Sequence, residues 1–88
     1  MRIYRHKKFK KRYSKLPVFL KDKVDLAILK FEKDPFDRAL RNHGLSGRLD
    51  GKRAFWVTGN IRVVFEEYDD YLVVLMLNVG VHPQVYGG

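Results

Sequence analysis

The run YLVVLMLNVG, residues 71–80, leaves a chain of 88 residues little freedom. A strand that is apolar at nearly every position has no face to offer water, so it must lie inside a sheet with neighbours on both edges. Those neighbours are sought just upstream, where KRAFWVT and IRVVFEE flank the dipeptide Gly59-Asn60, a two-residue hairpin signal. With Thr58 opposite Ile61, Trp56 pairs with Val63 and Val57 with Arg62. That register puts Ala54, Trp56, Ile61, Val63 and Phe65 on one face, which is assigned to the core. Arg53, Phe55, Val57, Arg62 and Val64 share the other, so two guanidinium groups are expected together on a partly open concave surface. A second turn at Tyr68–Asp70 leads into the last strand, and the acidic cluster Glu66–Asp70 reads as its solvated tip.

The N-terminal half has the other periodicity. After a short first strand at residues 2–5, Phe9, Tyr13 and Leu16 recur at helical spacing, and Leu20, Val24, Ala27, Ile28 and Phe31 continue it in a second helix. Pro17 suits that helix's first turn, and Asp34-Pro35 ends it. Residues 37–51, punctuated by Gly44, Gly47 and Gly51, form a connecting loop with a helical turn near Arg38–Arg41. The order β-α-α-β-β-β predicts an α+β fold, a mainly antiparallel sheet covered on one face by two N-terminal helices, with the first strand at a sheet edge. Residues 1–88 make a single domain, since a chain this short supports one modest core.

Charge narrows the partner. Residues 1–15 carry eight bases and no acid, while the rest balances ten against ten, so the whole net charge of +8 sits on one segment. Interleaved with the stripe residues, Lys7, Lys8, Lys10, Lys11, Arg12 and Lys15 give the first helix a basic outer side, the footprint of a surface that binds nucleic acid. The chain has no cysteine, hence no disulfide and no thiolate metal site, which suits a cytoplasmic setting. The basic N-terminus is not followed by an apolar signal core, and no apolar stretch reaches the ~18 residues of a membrane span.

Three histidines are the only side chains suited to proton transfer both ways near neutral pH: His6, His43 and His82. His6, inside the basic run, reads as structural. His43 lies in the glycine-flanked loop NHGLSG, and His82 follows the central strand, held extended by Pro83. No HxH or HxxxH spacing supports zinc, Ser14 and Ser46 lack a triad setting, and no phosphate-binding glycine fingerprint occurs. RNA cleavage without a metal needs a base for the 2′-hydroxyl, a cation for the phosphorane and an acid for the leaving oxygen. His43, His82, Arg53, Arg62 and Tyr86 supply those types.

The ordered set NHGLSG, GKR, NIRVVF and VGVHPQVY, behind an opening strand and basic helix pair, resembles the RelE/ParE superfamily of bacterial type II toxins, most closely its YafQ-like mRNA interferases. The resemblance covers nearly the whole chain. It implies an antiparallel sheet flanked by helices, ribosome-dependent cleavage of translated mRNA without a cofactor, and neutralisation by an acidic antitoxin. It also implies roles: His82 as acid or base with His43 as its partner, Arg53 and Arg62 on phosphate charge, and Tyr86 orienting or stacking on a base. Trp56, Asn60 and Ile61 stand where YafQ-like enzymes have a histidine, an aspartate and a tryptophan, and Phe55 and Val57 replace basic residues of RelE-type hairpins. Two alternatives are a ParE-like toxin that inhibits DNA gyrase without cutting nucleic acid, and an inactive RNA-binding module. Both histidines of the implied set, His43 and His82, are present, which argues against the first, and the second leaves His82 and Tyr86 unexplained.

Overall fold

In the computed structural model, which describes residues 1–86, β1 (Arg2–Arg5) is followed by α1 (Lys7–Ser14), α2 (Val18–Lys33), β2 (His43–Gly44), β3 (Arg53–Trp56), β4 (Ile61–Tyr68), β5 (Val73–Val81) and α3 (His82–Tyr86). The five strands form one sheet in the order β1-β5-β4-β3-β2, antiparallel except where β1 runs parallel to β5. β5 is therefore internal and β1 is at an edge, as its composition and position predict. Two elements were not foreseen: the short β2 within the expected loop, and the terminal turn of helix α3. Among the described residues no helix is long and apolar enough to cross a membrane.

The helices form for local reasons. His6 caps α1, its Nδ1 accepting the Lys8 N–H at 3.0 Å, which gives this histidine the structural role expected of it. Pro17 stands at the N-cap of α2, one position before its first turn, and the extended Asp34 ends the helix. Both helices cover one face of the sheet. Their Phe9, Val24, Ile28 and Phe31 pack with Phe55, Val63, Phe65, Val74 and Met76. Phe31 is the hub, 4.8 Å from the Phe55 ring and 4.9 Å from Phe65. Beyond them Asp37 caps a 3₁₀ turn, Arg38–Leu40, by accepting the Ala39 N–H at 2.9 Å, and buries Leu40.

The β3–β4 register differs from the predicted one by one residue. Trp56 pairs with Arg62, Phe55 with Val63 and Ala54 with Val64. The Gly59-Asn60 dipeptide does not close a two-residue turn. The Thr58 hydroxyl instead accepts the N–H groups of Asn60 (3.2 Å) and Ile61 (3.0 Å), organising a four-residue loop over residues 57–60. A one-residue slip exchanges the faces of a strand. Phe55, expected on the open surface, is fully buried under the helices, while Trp56 leaves the core for the opposite face. Arg53 and Arg62 are thereby separated onto opposite faces.

A bulge opposite Val64/Phe65 adjusts β5 in a related way. Val74 and Met76 face the helices, as does Val79, whereas strict alternation would have sent Asn78 there. The extra residue turns Asn78 to the other face, and its Oδ1 accepts the Val79 N–H at 2.9 Å. On that second face Ala54, Val64 and Val85 form a smaller core, which α3 covers.

Candidate active site

The α3 side of the sheet collects most of the residues singled out in the sequence. Paired residues share a face, so the rows can be followed across the strands: His43–Ala54–Val64–Asn78, and beside it Trp56–Arg62–Gly80. His82 starts α3 directly after β5, and its ring stands perpendicular to that of Tyr86, centroids 4.2 Å apart. Glycine at residue 80, just before the strand-to-helix switch, leaves room for the Gln84 side chain. A Cβ there would lie 2.5 Å from the Gln84 Oε1, which accepts the Val81 N–H and closes the first turn.

Arg62 is 8 % exposed. Its Nη1 donates to the carbonyl oxygens of Thr58 (2.8 Å) and Ile61 (3.3 Å), so its charge is solvated by neutral dipoles and not cancelled. The guanidinium carbon lies 3.8 Å from the centroid of Trp56. Tyr86 is next to it. Burial pushes the phenol above its ordinary value of 10.0, and the positive Arg62 opposes this only in part. The hydroxyl is enclosed and has no hydrogen bond of sound geometry, although the Arg62 guanidinium is near enough to favour the phenolate by its charge and its N–H groups. At neutral pH Tyr86 is a phenol, a donor without an acceptor.

His43 is exposed on the edge strand β2. Its Nδ1 lies 2.8 Å from the Arg41 carbonyl, an oxygen that can only accept. In the neutral ring Nδ1 therefore carries the proton and Nε2 the lone pair, the tautomer that a general base requires. Three strand spacings, about 14 Å, separate the backbones of His43 and Asn78. The two imidazoles thus share a face but stand toward opposite ends of a band that runs His82, Tyr86, Arg62, Trp56, Arg41, His43.

Arg53, expected beside Arg62, is not in this band. Its Nε donates to Asn42 Oδ1 at 2.9 Å, and Asn42 Nδ2 donates to the Pro35 carbonyl and the Tyr71 hydroxyl at 3.1 and 3.0 Å. Arg53 therefore braces, from the helix side, the loop that carries Arg41 and His43. In its place the band includes Arg41, whose guanidinium carbon is 4.2 Å from the Trp56 centroid. Neither Arg41 nor Trp56 was expected here: Arg41 lies in a loop without periodicity, and the slipped register hid Trp56 in the core. Extending the true register from His43–Ala54 by two residues sets Arg41 opposite Trp56.

The basic helix borders the same face. Lys8, Lys11, Arg12 and Lys15 line a groove of ≈ 490 Å³ that ends against Gln84 of α3. A second groove, ≈ 290 Å³, has Val64, Leu77, Val85 and Tyr86 as its floor and His6, Lys8, Arg48 and Lys52 on its rim. Apolar floor and cationic rim together suit a nucleotide, with its planar base and its phosphate. Lys7 and Lys10 lie on the exposed surface of α1 outside both grooves.

No protein-family model and no curated protein matches this sequence. Solved structures do match its fold. YafQ from E. coli strain BL21(DE3) superposes with a TM-score of 0.79 at 17% identity, over 99% of this chain and 100% of that one. A YoeB/ParE toxin from Agrobacterium tumefaciens gives 0.77 at 15% identity, over 93% and 99%. An archaeal RelE–RelB complex from Pyrococcus horikoshii OT3 gives 0.72 at 21% identity, over 91% and 92%. The chain has the fold of the RelE, YafQ and YoeB/ParE toxins over essentially its whole described length.

Proposed function

We propose that this protein is the toxin of a type II toxin–antitoxin system and that it cleaves messenger RNA on the ribosome without a metal. The observation that carries this reading is the band of imidazole, phenol and guanidinium groups on the α3 side of the sheet, bordered by the basic α1. In the reaction, a histidine takes the proton of a 2′-hydroxyl, the oxygen attacks the adjacent phosphorus, and the bond to the 5′-oxygen breaks as that oxygen is protonated. The products are a 2′,3′-cyclic phosphate and a 5′-hydroxyl end. His82 takes the 2′-hydroxyl proton and, as the imidazolium so formed, delivers it to the leaving 5′-oxygen. Arg62, held by backbone carbonyls with its charge intact, stabilises the phosphorane, and the ring of Tyr86, edge-on to that of His82, orients the imidazole. His43, three strand spacings from β5, is too far away to be the partner of His82 at one phosphate, and meets the strand at the other end of the band.

Lys7, Lys8, Lys10, Lys11, Arg12 and Lys15 provide the attraction to ribosomal RNA. Counter-charge also suggests the regulator: an acidic antitoxin segment that covers the basic face. Two further matched folds are toxins solved with their antitoxins, RelBE2 from Mycobacterium tuberculosis and DinJ–YafQ from E. coli, which supports such a partner here.

The test is a purified translation reaction to which the protein is added and in which new RNA ends are mapped. Cuts within translated codons, with 5′-hydroxyl ends and no requirement for added divalent ion beyond that of the ribosome, are expected. General acid–base catalysis contributes about 10²–10⁴-fold, so His82→Ala should slow cutting by that order while still binding ribosomes. Intact message, with arrest accompanied by DNA-damage signalling, would instead support a gyrase-directed toxin.

A further inference from the structure

The least expected feature of the band is its middle. Arg41 and Arg62 both stack on Trp56, at 4.2 and 3.8 Å from the ring centroid. Two planar guanidinium groups cannot occupy one face of one ring at those distances, so the indole is sandwiched between them. Their charges stand at most about 8 Å apart, with an apolar spacer between. Two like charges held so close repel each other, and the repulsion is relieved when anions bind to both. Stacking leaves the in-plane N–H groups of a guanidinium able to donate, which is how arginine grips phosphate; in Arg62 these are the ones that the Thr58 and Ile61 carbonyls do not take.

Arg41 is also held in an unfavourable backbone conformation. Its φ of 50 and ψ of 44 lie in the left-handed region, where asparagine or glycine would be at ease. The backbone is fixed there by the Arg41 N–H donating to the Arg38 carbonyl at 3.3 Å and by the Arg41 carbonyl receiving His43 Nδ1. A long cationic side chain at such a position points to a use for the side chain itself.

We propose that Arg41 and Arg62, spaced by Trp56, form a clamp for two successive phosphates of the message, with Trp56 as a rigid divider that sets the separation. Resting on the mRNA-cleavage reading above, this assigns Arg41 the phosphate beside the one that is cut and makes Trp56 a positioning residue. A direct consequence is that the clamp fixes the register of the strand relative to His82.

The experiment measures binding of the full chain to two kinds of ribosome. One carries a message with a 2′-O-methylated codon in the vacant A site, so that it binds without being cut. The other carries a message truncated after the P-site codon. Arg41→Gln is expected to weaken binding about tenfold on the first only, and to reduce the slope of log affinity against log salt by about 0.7, the share of one phosphate of a single strand. Arg41→Lys should restore the salt slope, and Trp56→Leu should leave the slope in place while, on an unmethylated message, scattering the cut site over neighbouring positions. Thermal melting checks that the variants are folded. Equal weakening on both ribosomes, or no weakening on either, overturns the clamp while leaving the nuclease reading intact. A parent protein that binds neither ribosome overturns both.

Discussion

Tyr86 has an environment that separates chemistry from stability. Its hydroxyl is enclosed without a partner, so deleting it should cost nothing in the folded state and relieve a desolvated donor. Tyr86→Phe is expected to melt at the parent's temperature or to gain up to about 1 kcal/mol, while RNA cutting is kept because the ring that orients His82 remains. Loss of cutting with the fold intact would mean that the hydroxyl itself takes part. The phenol's raised pKa adds a signed pH effect. The folded chain holds this proton longer than the unfolded one, so the contribution is complete below pH 10.0 and is lost as pH climbs beyond it. Above that point the parent should lose stability more steeply than Tyr86→Phe. Much of this environment was legible in the sequence: an apolar run that stops at His82-Pro83 must deliver the next few side chains at a sheet end. Arg41 was not legible, because its placement depends on pairing across the sheet and not on any local period.

At the level of elements, the β3–β4 loop decides which residues reach the site. A Gly-Asn dipeptide between two strands favours a tight turn, yet the Thr58 hydroxyl captures two N–H groups and lengthens the loop to four residues. Thr58→Ala removes both bonds and should destabilise the protein by about 1–2 kcal/mol, with broadened amide signals over residues 57–61 in NMR. An unchanged melt would mean that strand packing alone sets the register. The slip explains why Phe55 and Trp56 exchanged their expected faces, and why Arg53 ended up bracing Asn42. The bulge in β5 was hidden for a similar reason, since a run of Val, Leu and Met shows no alternation to interrupt. Gly80→Ala probes the link to α3. The new methyl meets Gln84, so the turn that presents His82 and Tyr86 should shift, with cutting reduced more than stability.

Across the whole molecule, charge and apolar surface are segregated. The net charge of +8 derives from residues 1–15, which border the α3 face of the sheet, whereas a run of apolar side chains left outside lies on α2. Phe19, Leu26 and Leu29 share one stripe of that helix and are 63%, 64% and 61% exposed. Under the antitoxin reading, Leu26→Ser should weaken neutralisation by the partner without changing RNA cutting, and equal neutralisation of parent and variant would exclude this stripe from the interface. The order of helices and strands, the internal place of β5 and the basic helix were all legible in composition and periodicity. The side of the sheet that each hairpin residue occupies was not, because it is a property of one register that a single hydroxyl shifts. The most direct measurement is primer extension on messages from cells induced to make the parent or its His82→Ala variant. New ends inside translated codons with the parent, absent with the variant, are predicted; the same growth arrest in both, with unaltered message ends, would contradict the account.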